Sequence, residues 1–161
     1  MSRKKFFAMA WLPLLLGLQP CSPTGIEPIP PSPCPAIKIT DASADSIRLD
    51  SFDLKTVSIN ADTLFMEITH GGGCQPHDYA LFMSPSVFAE SFPVQASLYL
   101  RHNANGDACE ALLQAKLCFD LRPVAEQYRK FYGDQRGLVR IRLNVYGYIA
   151  GQTFSILYEP R

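Results

Sequence analysis

Short runs of alternating apolar and polar residues, separated by Gly, Pro, Asn, Asp and Ser, fill the chain from Ala36 to its end. In the clearest run, residues 139–145, four aliphatic residues alternate with two arginines and an asparagine. Successive side chains of a strand point to opposite faces, so one face of such a strand packs inward and the other meets water. Similar runs occupy residues 36–40, 47–49, 54–59, 63–69, 79–83, 94–100, 117–121, 138–146 and 153–158. Seven to nine strands in about 125 residues predict a mainly β fold, an antiparallel Ig-like β-sandwich.

Two stretches break this alternation. Residues 123–132 begin with Pro, carry apolar side chains at i, i+4 and i+7, and are followed by Gly133. Arg129 and Lys130 lie near the end of this stretch, where a helix favours positive charge. We expect one short helix there, capping an end of the sandwich. Residues 109–116 are rich in helix formers and predict one or two further helical turns.

The N-terminus has the layout of a secretory signal peptide. Three basic residues at 3–5 precede an apolar stretch at 6–18, which is too short to span a bilayer comfortably. Cys21 follows directly and resembles the acylated cysteine of a bacterial lipobox, with Leu18 at the motif's first position. We therefore interpret residues 1–20 as a lipoprotein-type signal peptide and Cys21 as the lipidation site, carrying palmitate or a related acyl chain. Plain secretion is the alternative.

A proline-rich segment separates Cys21 from the predicted domain. Residues 21–35 contain six prolines, which favour the extended polyproline II conformation and lack backbone donors for a sheet. At about 3 Å per residue, this tether reaches roughly 40 Å. The predicted organisation is a signal peptide, a tether at 21–35 and a β-sandwich at 36–161. It places the protein in a bacterial cell envelope, with the domain in the periplasm or at the cell surface.

The charge balance restricts the partners. Without residues 1–20 the chain has 12 basic and 15 acidic residues, so it lacks the basic excess of a nucleic-acid-binding protein. Hydrophobic residues make up 47% of the chain, which is too apolar for a disordered protein. We expect contact with the membrane through the N-terminal lipid, an envelope protein or small ligand as partner, and no nucleic acid.

Five cysteines suit an exported protein. Lipidation of Cys21 leaves an even number, four, which allows three pairings. Cys74 and Cys109 both lie in loops rich in Gly or Asn at strand ends, so we favour a disulfide between them. Cys34 and Cys118 then form a second pair, or Cys34 remains free.

The three histidines of the chain, His70, His77 and His102, lie close to these loop cysteines in sequence. Imidazole nitrogens are zinc ligands, and with Asp107 they form a candidate metal site, although their spacing matches no standard zinc motif. The simpler interpretation is a set of hydrogen-bonded loop histidines beside a disulfide.

Calcium is a second candidate metal. Asn103, Asn105, Asp107 and Glu110 supply hard oxygens, but an EF-hand loop starting at Asn103 would need Gly where Ala108 stands. Asn105 followed by Gly is also typical of a tight turn. The simpler interpretation is that these polar residues belong to a turn.

An enzymatic role has little support in the sequence. His70 and three glycines resemble the oxyanion loop of some α/β-hydrolases, but the chain has no Gly-x-Ser-x-Gly nucleophile motif. A nucleophilic Cys74 assisted by His77 requires an unpaired thiol. We expect no enzymatic activity and no cofactor apart from the candidate metal ion.

Three motifs together resemble the NigD-like group of small bacterial envelope lipoproteins. They are His-Gly-Gly-Gly-Cys-x-x-His at 70–77, Leu-x-His-x₄-Asp-x-Cys-Glu at 100–110, and Leu-x-Phe-Asp-Leu-x-Pro at 117–123. The resemblance covers roughly residues 69–143 and implies a lipid-anchored β-sandwich of largely unassigned activity, without catalytic residues. Our leading hypothesis is a non-enzymatic binding or structural module. The alternative is a module that binds zinc or calcium through His70, His77, His102 and Asp107.

Overall fold

The computed structural model describes residues 34–147 and 152–161. The predicted signal peptide, the lipidation site at Cys21 and most of the tether lie outside these residues. In chain order the elements are β1 Lys38–Ile39, α1 Ala44–Ile47, β2 Asp53–Asn60, β3 Thr63–Gly72, β4 Asp78–Met83, β5 Val94–Asn103, β6 Ala111–Asp120, α2 Arg122–Tyr132, β7 Val139–Asn144 and β8 Thr153–Tyr158.

The strands form two sheets whose inward faces share one hydrophobic core. One sheet has the order β2-β3-β6 and is antiparallel, and the other has the order β1-β4-β5-β7-β8. The mainly β sandwich is confirmed. The larger sheet is mixed, however, because β1 pairs with β4 and β5 with β7 in parallel. Between β5 and β7 the chain runs through β6, in the other sheet, and through α2, so β7 returns in the same direction as β5.

Inward positions follow the alternation read from the sequence. Leu64, Met66 and Ile68 of β3 are buried, and so are Leu98 and Leu100 of β5. These side chains fill the space between the sheets. Burying one such aliphatic side chain contributes about 1.5–3 kcal/mol, so strand register is strongly determined here.

Three local predictions have different outcomes. The helix at 123–132 is confirmed as α2, which has Pro123 in its first turn and ends at Gly133. The helical turns expected at 109–116 were wrong, because that stretch belongs to β6 and pairs with β3 over ten residues. Tertiary pairing here overrides helix propensity. The strand expected at 47–49 was also wrong, since Ile47 ends α1, a single turn capped by Ser43.

Two disulfides link the chain, Cys34 to Cys118 and Cys74 to Cys109. The second is the bridge that the sequence favours. The first fixes the start of the described chain to β6, where the Asp120 backbone N–H also donates to the Pro35 carbonyl at 2.9 Å. Cys34 and Pro35 are therefore attached to the folded domain.

Among the described residues, no helix combines the length and the apolar character that crossing a membrane requires.

Candidate metal centre

Two of the three histidines continue the inward-facing series of core strands. His70 follows Leu64, Met66 and Ile68 on β3, and His102 follows Leu98 and Leu100 on β5. Both are almost fully buried, with 2% and 1% of their surface exposed. Because side chains on a strand alternate between its two faces, these two histidines point into the core at one end of the sandwich.

Tyr79 joins them from the neighbouring strand. It lies on β4 directly opposite His102, and the two rings stack with centroids 5.3 Å apart and planes 9° apart. Its hydroxyl lies 2.7 Å from Nε2 of His70. Burial raises the pKa of Tyr79, so this hydroxyl keeps its proton at neutral pH.

The loop before β4 is held by one carboxylate. Oδ2 of Asp107 accepts hydrogen bonds from the backbone N–H groups of Gly73, Cys74 and Gln75 at 2.7, 2.8 and 3.0 Å. Oδ1 accepts from the N–H of Cys109 at 2.9 Å. The disulfide between Cys74 and Cys109 clamps the same two segments. Hydrogen bonds from Cys109 and Gln75 hold the pKa of Asp107 far below its ordinary value, so the carboxylate is ionised.

This loop places His77 against the other two imidazoles. The ring centroids are 4.6 Å apart for His70 and His77, 4.4 Å for His70 and His102, and 5.0 Å for His77 and His102. One ring nitrogen of each residue lies within 4.8 Å of one from each of the others. Burial, and then the neighbouring His70, lower the pKa of His102, which favours a neutral imidazole there.

Each histidine uses one ring nitrogen in a contact with an oxygen that can only accept. These contacts join His70 Nδ1 to the Gly71 carbonyl (2.8 Å), His102 Nδ1 to the Ser51 carbonyl (3.2 Å), and His77 Nε2 to Asp107 Oδ2 (3.2 Å). Carbonyl and carboxylate oxygens cannot donate, so these three nitrogens carry the hydrogen atoms. The tautomers follow from the partners.

The three remaining nitrogens then have lone pairs. His70 Nε2 accepts the Tyr79 hydroxyl, whereas His77 Nδ1 and His102 Nε2 face each other at 2.8 Å. Two lone pairs at this distance repel unless a positive centre lies between or beside them. A metal cation placed beside both nitrogens would satisfy them, and the ionised Asp107 lies next to His77 to balance its charge.

This arrangement suits a transition metal that binds imidazole. Metal-binding histidines donate their second ring N–H to a carbonyl or carboxylate, and all three rings here have such a partner. Asp107, which the sequence also suggests as a ligand, contacts Nε2 of His77 at 3.2 Å. Three neutral imidazoles are typical of zinc and its neighbours in the first transition row.

The nucleophilic cysteine and the calcium site both lose support. Cys74 and Cys109 are bridged, so Cys74 does not offer the thiolate that a nucleophile needs. The oxygens considered for calcium are used within the loop: both Asp107 oxygens accept backbone N–H groups, and the side chains of Asn103 and Asn105 bond to each other.

A shallow surface depression of about 210 Å³ reaches the cluster from solvent. It is lined by Asp50, Ser51, Gly71, His102, Ala104, Asp107, Ala108 and Cys109.

Sequence reasoning named the three histidines and Asp107 but missed Tyr79 and the Ser51 carbonyl. The sequence analysis placed Tyr79 in a strand but gave it no role in the site. It lies two positions before Leu81, a core residue, so extending the alternation by one step would have predicted its inward orientation. The contribution of Ser51 is a backbone atom, which leaves no side-chain pattern to detect.

No protein-family model and no curated protein sequence matches the chain. Among solved structures, the fold is similar to that of a NigD-like immunity protein from Bacteroides caccae, with a TM-score of 0.58 and 20% identity over 80% of this chain and 64% of that one. It is also similar to a protein of unknown function, DUF1344, from Bacteroides vulgatus, with a TM-score of 0.52 and 19% identity over 78% of this chain and 57% of that one.

The chain thus spans less than two thirds of either neighbour. At these identities the likeness establishes the fold. Fold and site together define a β-sandwich protein with a NigD-like structural neighbour and a buried histidine cluster at one end of its core.

Proposed function

We propose that this domain binds one divalent transition-metal ion, with zinc as the best match, and that it works as a non-enzymatic module anchored in a bacterial envelope. One observation carries the proposal: His77 Nδ1 and His102 Nε2 face each other at 2.8 Å, while the opposite nitrogen of each ring donates to an oxygen. A cation completes this geometry.

The ligands in this proposal are Nε2 of His70, Nδ1 of His77 and Nε2 of His102. Zinc binds imidazole nitrogen at about 2.0–2.1 Å, so two nitrogens on one tetrahedral ion lie roughly 3.3 Å apart. The observed 2.8 Å between His77 and His102 therefore needs to widen by only about half an ångström. The Tyr79 hydroxyl or a water molecule is available for the fourth position.

A structural role suits this site better than a catalytic one. The imidazoles are buried, and the depression that reaches them offers little room for an organic substrate. A metal bound there cross-links β3, β5 and the loop that carries His77, so it stabilises the folded state. The envelope location rests on the signal peptide, Cys21 and the proline-rich segment of the sequence.

The test is calorimetric titration of the EDTA-treated mature protein, disulfides intact, with zinc, cobalt, nickel and calcium. We expect one zinc ion per chain and a higher melting temperature with zinc. At a thousandfold excess over the dissociation constant, linkage adds about 4 kcal/mol to the free energy of unfolding.

His77→Gln and His102→Gln are expected to abolish binding. Gln114→Ala, which changes an exposed polar residue on β6, should leave it intact. Absence of both heat and a thermal shift with every transition metal would contradict the proposal, as would undiminished binding by the histidine variants. Tighter binding of calcium than of zinc would also contradict it.

A further inference from the structure

The outer face of the five-stranded sheet carries most of its charge as cations. Lys38 of β1, Arg101 of β5, and Arg140 and Arg142 of β7 occupy outward positions of their strands. Ser97 and Arg142 are directly paired, as are Gln95 and Arg140, so the cations are separated only by small or uncharged side chains. This face lies on the opposite side of the sheet from the core.

These four cations have no acidic partners. Within the described residues, none of them has a carboxylate oxygen within 4.0 Å. The chain from Cys34 onward has 12 basic and 14 acidic residues, so the domain as a whole is not basic. The unpaired positive charge therefore belongs to this sheet face and does not reflect the net charge of the domain.

Aromatic rings accompany the cations. The Lys38 ammonium lies 5.6 Å from the Phe82 ring centroid, and the Arg48 guanidinium lies 5.5 Å from Tyr99 and 5.8 Å from Tyr146. Such stacking fixes the long side chains and reduces the entropy that they lose on binding. Arg48 itself lies 3.8 Å from the Asp45 carboxylate, so it is not counted among the four unpaired cations.

This face contains a shallow depression. It measures about 320 Å³ and is lined by Lys38, Asp78, Tyr79, Ala80, Phe82, Arg101 and Asn103. Lys38 and Arg101 are its cationic residues, Asp78 is its one acidic residue, and Tyr79 and Phe82 are aromatic. An acidic side chain seated here would meet two cations that have no ion-pair partner, with Asp78 as the one opposing charge.

We infer that this face, formed by Lys38, Arg101, Arg140 and Arg142 with Phe82 and Tyr99, binds an acidic surface of a partner protein. Arginine and tyrosine are the residues that dominate the binding energy of protein–protein interfaces, and the carboxylates of an acidic partner match the unpaired charges. Recognition of anionic lipid uses denser clusters of lysine and arginine.

The inference is tested with the intact mature protein and a labelled glutamate–tyrosine copolymer as the acidic probe. We expect binding that weakens as salt is raised. The double variant Arg140→Gln/Arg142→Gln should bind about tenfold more weakly. The matched control Lys130→Gln/Arg136→Gln removes two exposed cations elsewhere and should bind as the wild type does.

Three results would overturn the inference: no binding at low salt, an equal loss in both double variants, or stronger binding to phosphatidylglycerol vesicles or dextran sulfate than to the copolymer. Circular dichroism checks that each variant is folded. The binding should be the same in EDTA-treated protein, because the face is formed by residues outside the histidine cluster. A failure of the metal proposal is therefore distinguishable from a failure of this one.

Discussion

Asp107 shows how one side chain can serve both the fold and the site. Its carboxylate gathers four backbone N–H groups from two loop segments and also contacts His77. Asp107 lines the surface depression, and its charge is balanced by oriented N–H dipoles and by the imidazole. The position of His77 therefore depends on the loop that Asp107 organises.

Gly72 is the residue whose substitution should most directly disturb the histidine cluster. A Cβ at this position would lie 2.6 Å from the His77 ring and 2.9 Å from Asp107 Oδ2, and its φ is +134°. We expect Gly72→Ala to destabilise the domain by more than about 2 kcal/mol, because it adds a clash to the cost of positive φ. Zinc affinity should fall at the same time. Urea unfolding and calorimetric titration measure the two effects.

Gly106→Ala is the control for this change. Its φ is also positive, +75°, but a Cβ there would meet no atom within 4 Å. It should cost about 1 kcal/mol and leave zinc affinity unchanged. Equal effects of the two alanine substitutions would show that backbone conformation alone matters at Gly72.

Tyr158 gives a prediction of pH dependence away from the cluster. Its hydroxyl donates to Asp62 at 2.7 Å in the core, and burial and this hydrogen bond raise its pKa well above 10.0. Since the folded-state pKa is raised, the stabilisation is complete below pH 10 and is lost as pH rises through the folded-state pKa. We expect the free energy of unfolding to decline less steeply above pH 10 in Tyr158→Phe than in the wild type. Parallel declines, measured by urea unfolding from pH 8 to 11, would contradict this assignment.

At the scale of elements, alternation predicted which residues point inward but not which strands are neighbours. The runs that became β3, β4 and β5 were predicted, and their inward residues form the core. The parallel pairing of β5 with β7 depends on the intervening passage through β6 and α2. Local residue patterns contain no information about such a path. The sequence of β6 suggested a helix because Ala, Leu, Gln and Lys favour one in isolation.

The two disulfides should have separable effects. Cys34 and Cys118 are 84 residues apart, and Cys74 and Cys109 are 35 apart. On the chain-entropy model their loss costs about 4.5 and about 4 kcal/mol. Only the second bridge joins the segments that hold Asp107 and His77. We expect the double serine variant at 74 and 109 to lose stability and most zinc affinity.

The double serine variant at 34 and 118 is the matched comparison. It should lose comparable stability but keep the zinc affinity of its folded fraction, because β6 is bridged far from the imidazoles. Calorimetry below the melting temperature of each variant distinguishes the outcomes. If both variants lost zinc affinity equally, the loop would not be the element that positions His77.

At the scale of the whole molecule, the sequence named the histidines but not their convergence. Each one lies in a different segment: His70 is on β3, His77 in the loop before β4, and His102 on β5. The packing of the two sheets and this loop brings the three rings together. The spacing matched no zinc motif because the three histidines come from two sheets and a loop. A site assembled from distant segments can be recognised only in the tertiary structure. A lipoprotein signal, in contrast, is one continuous stretch of sequence.

The proposed lipid anchor is therefore the whole-molecule property best tested from sequence. Cys21 follows an apolar stretch and precedes a proline-rich segment, the order expected of a lipoprotein. Each buried acyl CH₂ contributes about 0.8 kcal/mol, and two or more chains hold a protein stably in a membrane. We expect mass spectrometry to find diacyl or triacyl Cys21 as the first residue, and the protein to enter the detergent phase of Triton X-114. Cys21→Ser should shift it to the aqueous phase, whereas Cys34→Ser should leave it with the detergent. A mature wild-type protein with unmodified Cys21 in the aqueous phase would show that the chain is secreted without an anchor.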